Sequence, residues 1–147
     1  IRIMKKTIFM LMFALFAATL LSGQANKIFT KSVALQSSDR AYLDLPGPIQ
    51  LESWKEDYLR ITVQVKARHI SENILQRLFI VGRYNIEVTE NKSAAFLGIR
   101  MPKALHPVTV KGAEMHESYS FLVQYPESYN LILNKPNTNR TLGQRSL

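Results

Sequence analysis

Tyr58-Leu59-Arg60-Ile61-Thr62-Val63-Gln64-Val65-Lys66-Ala67 decides the fold class. Leu59, Ile61, Val63, Val65 and Ala67 alternate with Arg60, Thr62, Gln64 and Lys66, and several of the side chains are β-branched. A strict period of two predicts a strand with one face in a core and the other in water. One strand cannot bury that face alone, so the other alternating runs must supply its partners.

Working outward, the next strong signal lies at the N-terminus. Lys5 and Lys6 follow Met4, the start methionine in this reading, and lead into an apolar run at 8–21 that ends in Ser22-Gly23-Gln24-Ala25. A basic start, a short apolar stretch and small residues at Gly23 and Ala25 predict a signal peptide over 1–25, cleaved after Ala25. The alternative is a retained anchor, but a bilayer core needs about 20 apolar residues. A lipoprotein signal would need cysteine where Gln24 stands, and the chain has none. The expected product is exported to the periplasm, cell surface or medium, with no stable membrane span after cleavage.

Beyond that signal, 26–133 is expected to be a single β-rich domain and 134–147 a polar, disordered tail. Without cysteine there is no disulfide, so apolar burial must supply the stability. The formal charge of +8 falls to +5 once Arg2, Lys5 and Lys6 leave. The remaining basic residues are scattered, not interleaved with aromatics or gathered on a helix face. That distribution fits solubility and a mild affinity for anionic surfaces or glycans, not specific nucleic-acid binding.

Within the domain, 27–35 predicts a first strand that could serve as an edge or a donated strand. Tyr42, Leu43 and Leu45 lead into Pro46-Gly47-Pro48, which interrupts any ladder. Residues 49–54 alternate and meet the Tyr58 strand across Lys55-Glu56-Asp57, which predicts a β-hairpin. Ser71 as N-cap, Glu72 in the first turn, and Ile74, Leu75, Leu78 and Phe79 at helical spacing predict a helix over 71–81 that Gly82 stops. Tyr84, Ile86 and Val88 predict a further strand, 94–101 its return, and 118–125 a second strong strand with Tyr119, Phe121, Val123 and Tyr125 on its core face. Residues 129–133 follow after a turn. The sum is a mostly β (α+β) fold: an antiparallel sheet or β-sandwich with one short helix.

The order of these features resembles the bacterial putative-adhesin family of exported β-proteins. The match runs over 41–133: a strand ending at a Gly-Pro turn, Ile49-Gln50-Leu51-Glu52-Ser53-Trp54, a charged turn, Leu59-Arg60-Ile61-Thr62-Val63, a helix opening at Ser71-Glu72-Asn73, and a late strand running into Pro126. The resemblance implies an exported, mostly β protein, and it carries no catalytic residues. In that family the domain often continues into repetitive β-structure. This chain ends at Leu147, and so reads as a short free-standing version or a truncated product.

Catalytic motifs find no support. No serine stands in Gly-x-Ser-x-Gly, there is no Gly-rich phosphate loop, and no cofactor is implied. Glu114, His116 and Glu117 are the densest set of ligand types, with His106 nearby. A metal needs three or four converging ligands, and the favoured reading is a solvated loop ahead of the strand at Ser118. His69 reads as a strand-end residue rather than a general base. Trp54 and Tyr58 are the candidate ligand-binding residues, as a sugar-stacking platform or a patch that docks a partner. The favoured alternative has Trp54 closing the core edge over Tyr42. The expected function is that of a non-enzymatic envelope or surface interaction protein whose partner is an envelope protein or a glycan. A second reading is an assembly component that associates through an open sheet edge.

Overall fold

The alternation around Tyr58 is realised in β4 (Tyr58–Arg68), where Leu59, Ile61, Val63, Val65 and Ala67 are each at 0% exposure. Burying a Leu, Ile or Val side chain stabilises by roughly 1.5–3 kcal/mol, so this one strand anchors the core. A computed structural model describes residues 23–133. The expected disordered tail at 134–147, and all of the expected signal peptide before Gly23, lie outside the described residues.

The described chain is mostly β with one α-helix. In chain order the elements are β1 (Gln24–Ala34), β2 (Arg40–Asp44), β3 (Ile49–Trp54), β4, α1 (Glu72–Ile80), β5 (Glu87–Asn91) and β6 (Phe96–Arg100). A short 3-10 turn (Pro102–Leu105) follows, then β7 (Thr109–Val110), β8 (Ala113–Glu114), β9 (His116–Pro126) and β10 (Asn130–Leu133). One sheet has the order β1-β4-β9-β3 and a second has β10-β2-β6-β5, while β7 and β8 form a separate small hairpin. Both four-stranded sheets are mixed, since β3 runs parallel to β9 and β2 runs parallel to β6 and β10. Leu43, Leu97 and Ile99 of the second sheet join Ile61, Val63, Phe121 and Val123 of the first in one core.

Two connections depart from the sequence expectation. β3 and β4 do not form a hairpin, because β9 lies between them and pairs with both. Residues 55–57 therefore step across the end of β9, a gap of two strand spacings or about 10 Å. The reason is burial. Phe121 and Val123 of β9 fill the centre of the sheet, at 3% and 0% exposure, a place the weaker β3 does not fill. The expected strand through Tyr84, Ile86 and Val88 forms only in its second part, as β5. Tyr84 and Ile86 are buried, but they lie in the turn and extended segment ahead of β5, which starts at Glu87.

The helix forms as its end signals predict. Ser71 Oγ accepts from the Ile74 amide at 3.3 Å, and Leu75 is buried at the centre of the apolar stripe. At the other end Gly82 adopts φ +84°, its amide donates to Phe79 O at 3.0 Å, and the Arg83 amide donates to Leu78 O at 3.1 Å. This paired termination satisfies the last carbonyls and turns Arg83 inward. Phe79 packs on Phe29 of β1 with ring centroids 5.2 Å apart, which seats the helix against that strand.

β1 opens at Gln24, ahead of the predicted cleavage point after Ala25, and Ala25 is itself a core residue at 1% exposure. Gly47 lies tight against β9, where an added Cβ would clash with Tyr119 O.

Candidate functional site

Trp54 is the last residue of β3 and Tyr58 the first of β4, and the step over β9 brings the two together. The Trp54 ring meets the Tyr58 ring edge-on at 4.9 Å, and Trp54 Nε1 donates to Tyr58 O at 3.0 Å. Arg60 completes the clamp, with its Cζ 4.7 Å from the centre of the indole. Arg60 Nε in turn donates to Gln124 Oε1 at 2.7 Å, and Gln124 Nε2 donates to Glu52 Oε1 at 3.2 Å. Each of these side chains alternates with a core-facing residue, so the network lies on the outer face of the first sheet. A planar guanidinium over an indole face fixes the ring by cation–π attraction, and the indole hydrogen bond fixes its tilt.

Beside the clamp is a shallow cleft of about 540 Å³ lined by Trp54, Lys55, Glu56, Pro126, Glu127 and Ser128. It combines an aromatic ring with two carboxylates, an ammonium and a hydroxyl. Such a set can stack on the apolar face of a sugar ring and exchange hydrogen bonds with its hydroxyls. Trp54 does not close over Tyr42. Tyr42 alternates with buried Ala41 and Leu43 on the outer face of the opposite sheet, where it packs on Phe96 at 5.1 Å. Strand parity therefore places the two rings on opposite sides of the sandwich.

The remaining candidates do not assemble. Among the described residues no three of His, Asp and Glu come together as a metal would require, so His106, Glu114 and His116 do not converge. His69 sits just past the end of β4 at φ +64°, with its amide donating to Gly23 O at 2.7 Å.

Glu117 overturns the solvated-loop reading. It belongs to β9, its side chain is 6% exposed, and it pairs with Arg83, whose side chain is 8% exposed. Arg83 Nη2 donates to Glu117 Oε1 at 2.5 Å, Nε to both carboxylate oxygens at 3.2 and 3.3 Å, and Nη1 to Lys103 O at 3.1 Å. Tyr84 Oη donates to the other carboxylate oxygen, Oε2. Tyr119 Oη is buried close by, without a hydrogen-bond partner among the described residues. Burial pushes the Tyr84 phenol well above its ordinary value, and its hydrogen bond to the carboxylate adds to the shift. Tyr119 is raised too, first by burial and then by the Glu117 charge. Burial works against the charge on Arg83, but the hydrogen bond and charge of Glu117 outweigh it, and the guanidinium is held more firmly protonated than usual. The cluster joins the end of α1, the 3-10 turn and β9. It is a fastening, and the signal for it was parity: extending the Tyr119, Phe121, Val123 alternation back one step puts Glu117 on the core face, where a carboxylate needs a cation.

No protein-family model matches the chain, and no curated protein matches it. A solved structure described as a "putative cell adhesion protein" from Clostridium sporogenes is similar, with a TM-score of 0.37 and 15% sequence identity. The similarity covers 74% of this chain and 45% of that one, so the chain spans less than half the length of that protein. Similarity at this level assigns neither family nor function. Among the described residues no helix is long and apolar enough to cross a membrane.

Proposed function

We propose that the chain is an exported, non-enzymatic envelope or surface protein of the adhesin-like kind, and that it binds a glycan at the Trp54 cleft. The observation that carries this reading is the clamp: Tyr58 and Arg60 hold Trp54 at the margin of an open cleft lined by carboxylates, an ammonium and a hydroxyl. A tryptophan fixed in place before its ligand arrives loses little entropy on binding. Export rests on the N-terminal pattern, and the non-enzymatic reading on the lack of a nucleophile, phosphate-loop or paired-carboxylate motif in the sequence. Nucleic acid is disfavoured because the basic residues are spread along the chain with no run of three together.

Trp54 is the single tryptophan of the chain, so its fluorescence reports the cleft directly. Titration with neutral and uronic-acid oligosaccharides is expected to shift the emission and protect it from iodide, and Trp54→Ala is expected to weaken binding about 10–100-fold, or 1.4–2.8 kcal/mol. No shift and no protection across such a panel would remove the glycan reading. A second reading, assembly through an open sheet edge, is favoured by the exposure of β3.

A further inference from the structure

Among the described residues four strands form the edges of the two sheets: β1, β3, β5 and β10. Unpaired edges invite association, and proteins guard them with charges or by keeping them short. β1 carries Lys27 and Lys31, β5 carries Glu87 and Glu90, and β10 is four residues long. β3 is the least guarded of the four, with six residues and a single charge. Residues 50–53 are all exposed, Leu51 is 40% exposed, and the one charge on the strand, Glu52, is engaged by Gln124.

The direction of the free backbone groups follows from one hydrogen bond. The Phe121 amide donates to Pro48 O at 3.0 Å, so Pro48 faces β9. Backbone groups alternate sides along a strand, so Gln50, Glu52 and Trp54 also face β9, while the N–H and C=O of Ile49, Leu51 and Ser53 point out from the sheet. A two-fold axis must then pass through a residue, because an axis between residues would oppose bonded groups to free ones, and only an axis at Leu51 pairs all three outward residues of β3 with one another. An axis at Leu51 overlaps the whole of β3.

We propose that β3 is the seam of a symmetric dimer, pairing antiparallel with β3 of a second copy about an axis at Leu51. Leu51 then faces Leu51 of the second copy, Ile49 faces Ser53, and each such pair exchanges two backbone hydrogen bonds, about six in all. Side chains match in the same register. Leu51 meets Leu51 as an apolar pair, Gln50 stands opposite Glu52 twice as an amide–carboxylate pair, and Trp54 stands opposite Pro48 twice. The first sheets of the two copies fuse into one continuous sheet. Each Trp54 lies three residues from the axis on the outer face, so the two clefts are held about 20 Å apart along the strand direction. If both clefts bind one polymer, avidity follows without any new contact. The seam itself is independent of what the clefts bind.

The absence of cysteine from the chain makes a clean test available. In a bonded antiparallel pair the Cα atoms lie about 5.5 Å apart, within disulfide range. Leu51→Cys is therefore expected to form a covalent dimer under mild diamide oxidation, and Thr30→Cys on the exposed outer face of β1 is expected to remain a monomer. Sedimentation of the purified chain is expected to show a concentration-dependent dimer, which Leu51→Lys weakens at least about tenfold. A wild-type monomer at about 0.1 mM, equal cross-linking at positions 51 and 30, or an association that Leu51→Lys leaves unchanged would each overturn the seam. Circular dichroism of Leu51→Lys, expected to match the wild type, separates loss of the seam from loss of the fold. Trp54→Ala is expected to leave the dimer intact, so failure of the glycan reading and failure of the seam give different results.

Discussion

At the scale of single residues, Glu117 and Arg83 matter most to stability. Two charges buried together offset each other's desolvation only while both are present, and removing one strands the other in the core. Glu117→Ala leaves the Arg83 guanidinium with carbonyl partners and no counter-charge, and is expected to cost about 3–5 kcal/mol, read as a lower urea midpoint. The double variant Arg83→Met with Glu117→Leu is expected to recover most of that loss, since apolar groups of similar size can replace a buried ion pair. A Glu117→Ala protein as stable as the wild type would mean that the pair is not buried in solution. The pair was partly legible in the sequence. Strand parity extended back from Tyr119 puts Glu117 on the core face, although its neighbours read as a solvated loop, but nothing local pointed to Arg83, 34 positions away, because the partner depends on where the end of α1 meets β9. Trp54 and Tyr58 were legible as a pair because only the turn separates them. The surroundings of Trp54 were not legible, since they include Arg60 and Gln124 from two different strands.

At the scale of elements, local rules succeeded where an element's own residues decide the outcome. β4, α1 with its Ser71 cap and Gly82 stop, and β9 all form near their expected limits, because alternation, capping and positive φ act over a few residues. They failed for the β3–β4 pair. Two alternating runs around a three-residue polar turn meet every local condition for a hairpin, yet β9 separates them. A synthetic peptide covering 49–68 is accordingly expected to show no cross-strand contacts between its two halves by NMR, since neither run pairs with the other in the protein. A well-populated hairpin in that peptide would mean that β9 displaces a preformed contact during folding. The segment ahead of β5 failed for a related reason. Tyr84 and Ile86 alternate because both are buried at the end of the helix, not because they pair in a sheet. Periodicity reports burial, and a strand is only one way to produce it.

At the scale of the whole molecule, the buried tyrosines tie stability to alkaline pH. Tyr84 is 1% exposed and its folded-state phenol titrates above the value of about 10 that it has when unfolded. Below that value both states hold the proton and the stabilisation is complete. Above it the unfolded chain releases the proton while the folded chain keeps it, so stability falls as pH rises, by up to about 1.4 kcal/mol per unit from Tyr84. Tyr119 acts in the same direction. Urea midpoints between about pH 9 and 11 are expected to decline, and Tyr84→Phe is expected to flatten the decline; an unchanged slope would place the Tyr84 hydroxyl in water. The sequence by itself determined the mostly β class, the helix that follows residue 70, and the core face of β4, because period and capping are written in neighbouring residues. Only the tertiary structure decided the insertion of β9 between β3 and β4, the partner of Glu117, the side on which Trp54 lies and the exposed edge at β3. Those features join segments far apart in the chain, and they are settled by which apolar faces bury one another best, a competition that no local stretch contains.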